Sequence, residues 1–344
     1  MSRMLEEIRE QPSALARTYE NELTKFEKFR LLAQRRNFRL IVLIGRGTSD
    51  NAALFGRYLL EIKTGIPVSL CAPSIHTLYH APVRLEGTLA VAISQSGEST
   101  DVNTAVQACQ QHGAFAVGIT NTPDSTLARL VDELFLVWAG EELSVPATKT
   151  YTGQLLLLYL LAAALGSSIQ MEQISQLPEL ARRALGKEKE VQSLVEHYLF
   201  MQHCSVVARG LNYANAYELA LKLMETCYLV ADRFSVADFL HGPIAMVERD
   251  FPVILFAPPG VAYEGLLDLG RKLHAAGADL FAITSGDELA RLADRAILLD
   301  EPKDELFTPI PYIIPGQIFA ALLAEAKSLN PDAPRSLRKI TRTV

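Results

Sequence analysis

From residue 38 onward, short apolar runs alternate with longer stretches whose apolar positions recur at helical spacing. Phe38-Arg39-Leu40-Ile41-Val42-Leu43-Ile44 is nearly continuous in apolar, β-branched residues, the pattern of a strand covered on both faces. Gly45-Arg46-Gly47-Thr48-Ser49 then turns the chain into a helix running to about residue 62. Further strand-like runs fall at 67–72, 88–94, 114–120 and 133–138, with helical segments between them. That strand–helix rhythm predicts an α/β, doubly wound parallel sheet. Residues 1–37 precede it with helical periodicity interrupted at Pro12. After the last strand, two helical segments are expected near 168–182 and 186–202.

The pattern then begins again. Cys204-Ser205-Val206-Val207-Ala208-Arg209-Gly210 repeats the strand-to-Arg-Gly turn at Arg46-Gly47. The interval from Gly47 to Ser94, at the end of the third strand, is 47 residues, and so is that from Gly210 to Ala257. Leu127-Ala128-Arg129-Leu130-Val131-Asp132 recurs as Leu289-Ala290-Arg291-Leu292-Ala293-Asp294. Matches in the same order, at offsets of 162 to 163, indicate two copies of one unit. The expected organisation is a helical segment 1–37, a first domain 38–167, a second domain 168–330 and a tail 331–344.

Composition narrows the function. With 344 residues, 49% apolar and 21% charged, the chain has the make-up of a two-domain soluble globular protein. A net charge of −6 without any Lys/Arg-rich run argues against nucleic acid as a partner, so an anion site has to be built locally. Residues 151–166 form the most conspicuous apolar segment, but 16 residues fall short of a membrane span and predict a buried helix. No membrane partner is therefore expected. Four scattered cysteines without a C-x-x-C pair predict reduced, mostly buried thiols and a cytoplasmic location. The charged N-terminus lacks the apolar core of a signal peptide.

The stretch with the most chemistry is Ser94-Gln95-Ser96-Gly97-Glu98-Ser99, between the strand at 88–94 and a helix expected from about 101 to 111. Hydroxyls and free N–H groups at a helix N-terminus converge on one spot, and the helix dipole favours an anion there. The spacing is neither that of a nucleotide P-loop nor that of a dinucleotide fold, so it suits a single phosphate held by neutral donors. A Ser-rich turn of this kind is by default a helix cap. Thr48 and Ser49 close the first strand–helix turn on the same sheet edge, where doubly wound sheets bind ligands, and they too could serve as caps. The second copy has Ala257-Pro258-Pro259-Gly260 instead and has lost the hydroxyls.

Glu218, Lys222 and Glu225 share one helical face at i, i+4 and i+7. On most helices such a triplet is surface ion pairing. Here Leu219, Ala220, Leu221, Leu223, Met224 and Cys227 flank it, so the helix is expected to be largely buried, where a carboxylate beside a lysine is costly unless it is used. His241-Gly242-Pro243 holds a histidine in a restricted loop and makes it a candidate for proton transfer. The basic tail around Lys339 reads as solvated, and spacing alone does not single that lysine out. No metal-ligand spacing is present, and proton shuttling by one carboxylate needs no metal or other cofactor.

With these residues in view, the chain resembles the sugar-isomerase (SIS) domain family over nearly its whole length. It is closest to the isomerase half of glutamine–fructose-6-phosphate aminotransferase and its deaminase-type relatives. The motifs that carry the resemblance are Gly47-Thr48-Ser49, the 94–99 loop, Ala147-Thr148-Lys149-Thr150, Leu221-Lys222-Leu223-Met224-Glu225, His241-Gly242-Pro243 and Pro334-Arg335-Ser336-Leu337-Arg338-Lys339. The resemblance implies two tandem flavodoxin-like SIS domains. It implies a phosphate cradle of Thr48, Ser49, Ser94, Gln95, Ser96 and Ser99, the last a Thr in most family members. Glu225 matches the carboxylate that moves a proton between C1 and C2, and His241 the ring-opening histidine, which in the family comes from the neighbouring subunit of a homodimer. Lys339 matches a lysine able to form an imine with an open-chain ketose, while Val145, Ala147, Glu218 and Lys222 match substrate-positioning residues.

Two departures shape the expected activity. A glutaminase domain with a terminal Cys nucleophile is not part of this sequence, and Ala147 stands where the aminotransferase has Ser. The expectation is deamination of glucosamine 6-phosphate to fructose 6-phosphate and ammonia. The alternatives are another phosphosugar isomerisation, deglycation of a phosphorylated amine–sugar adduct, or a sugar-phosphate sensor without catalysis. Retention of Glu225, His241 and Lys339 together favours catalysis over sensing.

Overall fold

The computed structural model describes residues 2–300 and 302–339. Among the described residues, ten strands form two parallel five-stranded sheets. The first sheet consists of β1 (Leu40–Ile44), β2 (Val68–Leu70), β3 (Thr88–Ile93), β4 (Phe115–Thr120) and β5 (Glu133–Leu136) in the order β2-β1-β3-β4-β5. The second consists of β6 (His203–Ala208), β7 (Val230–Ser235), β8 (Pro252–Ala257), β9 (Asp279–Thr284) and β10 (Arg295–Leu298), with β7-β6-β8-β9-β10 as its order. The two orders are the same, and both are the flavodoxin-like arrangement. In each sheet the chain reverses direction across one pair of neighbours, β1 and β3 in the first, β6 and β8 in the second. Ligand crevices in such sheets open at that pair, beyond the carboxyl ends of the strands.

Strands β3, β4, β8 and β9 are buried at every position, which is why they read as unbroken apolar runs. The repeat in sequence is a repeat in structure. Asp132 and Asp294, the last residues of the duplicated hexapeptide, each accept a backbone N–H from the neighbouring strand, Ala116 at 2.7 Å and Leu280 at 2.9 Å.

The chain divides into two compact units. One holds the first sheet and is built from Glu10–Glu142, Ala147–Pro178 and the described residues from Leu337. Its core includes Phe26 of the helix Gln11–Arg36 stacked on Phe135 of β5, ring centroids 3.8 Å apart. The other holds the second sheet and takes in the described residues up to Arg9, Leu143–Pro146 and Glu179–Ser336.

Two expectations about elements need correction. The N-terminal segment breaks at Glu10, one residue before the helix Gln11–Arg36, with Pro12 in that helix's first turn, where its missing N–H costs nothing. The region 168–202 holds short helices at Met171–Ile174, Leu177–Leu185 and Glu188–Val195 and a 3₁₀ turn, not two helical segments. The segment 151–166 forms the expected helix, Lys149–Ala164, buried throughout. Among the described residues the helix Pro309–Ala326 alone is long and apolar enough, by length and composition, to cross a membrane. That helix is 83% buried within the fold, as a core helix is.

Candidate active site

In the unit of the first sheet, β3 ends at Ile93 and delivers the 94–99 loop to the crevice between β1 and β3. Gly97 sits there at φ 66°, and a Cβ on it would overlap Ser125 Oγ, so only glycine closes the turn. The loop's hydroxyls are held by its own backbone: Gly97 N–H donates to Ser94 Oγ at 3.1 Å and Glu98 N–H to Ser96 Oγ at 3.2 Å. Each of those hydroxyls acts as an acceptor in these bonds and keeps its proton to donate to a ligand. Ser49, across the crevice, is buried and accepts from Gln154 Nε2 at 3.0 Å, which leaves its proton free in the same sense. Gln95 anchors the loop through its carbonyl, which accepts from Thr120 Oγ1 and Asn121 N–H.

Two cap readings do not hold. The N-cap of the helix Thr48–Thr64 is Gly47, not Thr48 or Ser49. Ser99 is the N-cap residue of Thr100–Gln111 but makes no side-chain cap bond; its hydroxyl donates to Asp101 Oδ1 at 2.8 Å. Asp101 is buried and pairs with Arg46 at 2.5 Å, so Ser99 contributes by holding Asp101 in place.

The same unit places Lys339 beside Glu142, Nζ to Oε2 at 3.0 Å. Glu142 is a buried carboxylate whose other oxygen accepts the N–H groups of Thr148 and Thr150 at 3.0 and 3.1 Å, the first turn of the helix Lys149–Ala164. Thr150 Oγ1 donates to Oε2 at 2.8 Å. The tail up to Lys339 is thus tethered to a helix N-terminus and is not simply solvated; residues 340–344 lie outside the described residues. Lys149, in the 147–150 motif, is turned away into an ion pair with Glu10 at 2.6 Å. Ala147 is half-buried beside this cluster in sequence.

In the unit of the second sheet, the helix Tyr213–Cys227 carries the predicted trio on one face. Lys222 Nζ lies 2.6 Å from Glu225 Oε2 and 3.5 Å from Glu218 Oε1. The side chains of Lys222 and Glu218 are fully buried, whereas that of Glu225 is 20% exposed. Two carboxylates thus flank one lysine in a poorly solvated place, where burying charged groups is costly. Glu225 is the member that reaches solvent. His241 caps the helical turn Val236–Leu240 through its backbone N–H, and its ring is exposed. Val145 donates its N–H to Asp332 O at 2.9 Å and is held as part of this unit's backbone.

Sequence reading passed over three carboxylates that organise these parts. Glu142 gathers Lys339 and a helix N-terminus, Asp101 gathers Arg46 and Ser99, and Glu7 accepts the N–H groups of Leu143 and Ser144. In sequence each is one acidic residue among many, and only burial distinguishes it.

Comparison with known proteins adds a family. The model of the SIS domain matches residues 36–164 and 202–324, one match on each sheet. Glutamine–fructose-6-phosphate aminotransferase [isomerizing] of Methanothermobacter thermautotrophicus is 33% identical over 339 residues, 98% of this chain and 56% of that protein. The chain thus spans about half the length of the curated relatives it matches. Among solved structures, the C-terminal domain of glucosamine-fructose-6-phosphate aminotransferase from Francisella tularensis superposes with a TM-score of 0.88 at 27% identity, covering 96% of this chain and 98% of that one. Glucosamine-6-phosphate deaminase from Thermotoga maritima has a TM-score of 0.82 over 99% of this chain and all of its own; at 22% identity it shows the shared fold.

Proposed function

Because the chain belongs to the SIS domain family, we propose that it is a phosphosugar isomerase that works as a deaminase, converting glucosamine 6-phosphate and water to fructose 6-phosphate and ammonia. The observation that carries the proposal is Glu225, the solvent-reaching carboxylate of a buried trio with Lys222 and Glu218. The substrate's phosphate binds the 94–99 loop, where Ser94, Ser96 and Ser49 have hydroxyl protons to donate and the loop's helix supplies its dipole. His241 moves the proton that opens the sugar ring. Its exposure suits a ring that serves the site of a second copy in a homodimer.

In the open-chain form Glu225 takes the proton from C2, giving an enolamine, and returns it at C1. The product is a ketimine at C2, which water hydrolyses to the ketose with release of ammonia. Lys222, which donates to Glu225 Oε2 at 2.6 Å, orients the carboxylate between these two transfers. Lys339 would form an imine only after giving its proton up and leaving Glu142. Ala147, lacking a hydroxyl, supports release of the amine over its glutamine-driven synthesis.

Incubation with a panel of amino-sugar and glycated-amine phosphates tests the reading, with ammonia and ketose phosphate both assayed. The expected result is equimolar ammonia and fructose 6-phosphate from glucosamine 6-phosphate, lost in Glu225→Gln. Ketose formation from an unaminated aldose phosphate, with no ammonia from any amino sugar, would replace the deaminase by a plain isomerase. Binding without turnover would make the protein a sensor.

A further inference from the structure

Duplication gave this chain two switch-point crevices, and their contents differ. In the second sheet the crevice lies between the turn after β6 and the turn after β8. Its frame matches that of the first sheet in detail. Gly210 stands at φ 64° where Gly47 stands at φ 56°, and Gly260, 163 residues after Gly97, likewise has a positive φ, 123°. Thr284 Oγ1 donates to Ala257 O at 2.8 Å as Thr120 Oγ1 donates to Gln95 O at 3.2 Å. The helix Tyr263–Ala276 opens from this turn, so its first N–H groups and its dipole face the crevice.

No hydroxyl loop lines this second crevice; a carboxylate fills it. Glu305 begins a 3₁₀ turn, Glu305–Phe307, and reaches in from 44 residues beyond Val261. Its Oε2 accepts the Val261 N–H at 2.9 Å, and the Ala262 N–H bonds the same carboxylate. A Cβ on Gly260 would overlap Oε2, and one on Gly210 would come within 3.2 Å of Oε1. Both crevice glycines therefore face the carboxylate, one oxygen each. Burial pushes the Glu305 carboxyl above its ordinary range, and the two N–H bonds offset that only in part.

We propose that Glu305 is a resident anion: its carboxylate occupies the second crevice in the place a ligand anion would take, and restricts the chain to one anion site. The hydroxyls of the first crevice became dispensable in the second because a charged group of the chain already satisfies its N–H donors. Ala257, Pro258 and Pro259 are the residue types that such a closed crevice tolerates.

Glu305→Ala tests this, because the four heavy atoms it removes are those of an acetate ion. The variant should melt several degrees below the wild type. Sodium acetate at tens of millimolar should raise its melting temperature beyond the effect of equal sodium chloride, while the wild type shows no such difference. Calorimetric titration with inorganic phosphate should find one more anion per chain in the variant than in the wild type. Should Glu305→Ala fail to fold, Glu305→Gln, which keeps one acceptor oxygen, should fold with a smaller drop in melting temperature. A Glu305→Ala protein as stable as the wild type would overturn the proposal, and so would a loss that acetate does not reverse together with no added phosphate site. Because each readout is a difference between variant and wild type, it stands even if the 94–99 loop of the wild type binds no phosphate at all.

Discussion

Replacing Lys222 by Met removes one charge from the helix Tyr213–Cys227 while nearly preserving side-chain length and helix propensity. The structure sets the size of the effect. Lys222 is fully buried between Glu218, also fully buried, and Glu225, so its loss leaves two carboxylates facing each other with the cation between them gone. Removing one partner of a buried ion pair costs about 3–5 kcal/mol. For a domain of 150–250 residues, at about 2–4 °C per kcal/mol, that lowers the melting temperature by roughly 6–20 °C. Differential scanning calorimetry of Lys222→Met, of Glu218→Gln and of the double variant measures it. The double variant should be more stable than Lys222→Met, because the repulsion left by the first substitution is relieved by the second, a coupling of about 0.5–3 kcal/mol. A loss below about 1 kcal/mol in Lys222→Met, or no gain in the double variant, would refute the picture of a cation holding two buried carboxylates.

Other consequences follow from the same geometry. Ser96→Ala should raise KM for phosphorylated substrates by the equivalent of about 1.5–3 kcal/mol, the worth of a hydrogen bond to a charged group, with kcat changed less; an unchanged KM would remove the 94–99 loop from phosphate binding. Burial pushes the thiols of Cys71 and Cys204 up to about 12 and those of Cys109 and Cys227 up to about 11. Each is therefore protonated at pH 8, and a disulfide reagent should find no fast-reacting thiol in the native protein but all four after denaturation; a stoichiometric burst would contradict this. If Lys339 forms an imine during turnover, borohydride added with substrate should fix sugar on it, and Glu142→Gln, which frees it from its ion pair, should raise the trapped fraction. Full activity in Lys339→Ala would end its part in the mechanism.

The strands largely buried on both faces are the most legible part of the fold in sequence. Strands β1, β3 and β4 are apolar runs for that reason, and the repeat offsets locate β6 and β8 as the second copies of β1 and β3. Edge strand β7, Val-Ala-Asp-Arg-Phe-Ser, is largely uncovered and has no such signature. The helix Pro309–Ala326 was hidden by its own composition, since Pro311, Pro315 and Gly316 argue against a helix until tertiary burial overrides propensity. In the site, Glu218, Lys222 and Glu225 could be found because helix geometry alone puts i, i+4 and i+7 on one face. Glu142 and Glu305 could not. Each meets its partners across long stretches of chain, 197 residues to Lys339 and 44 to Val261, and nothing local marks either one.

The central claim is that Glu225 carries a proton between C2 and C1. Glucosamine 6-phosphate deuterated at C2 tests it most directly, with the fructose 6-phosphate product analysed by mass spectrometry and NMR. The account predicts a primary isotope effect when proton transfer limits the rate. It also predicts some deuterium at C1 of the product, because a carboxylate only 20% exposed exchanges slowly with water. Glu225→Gln should still bind substrate while losing at least ~10²-fold in turnover. Release of ammonia with the deuterium still at C2 would contradict the account, since no enolamine could then have formed.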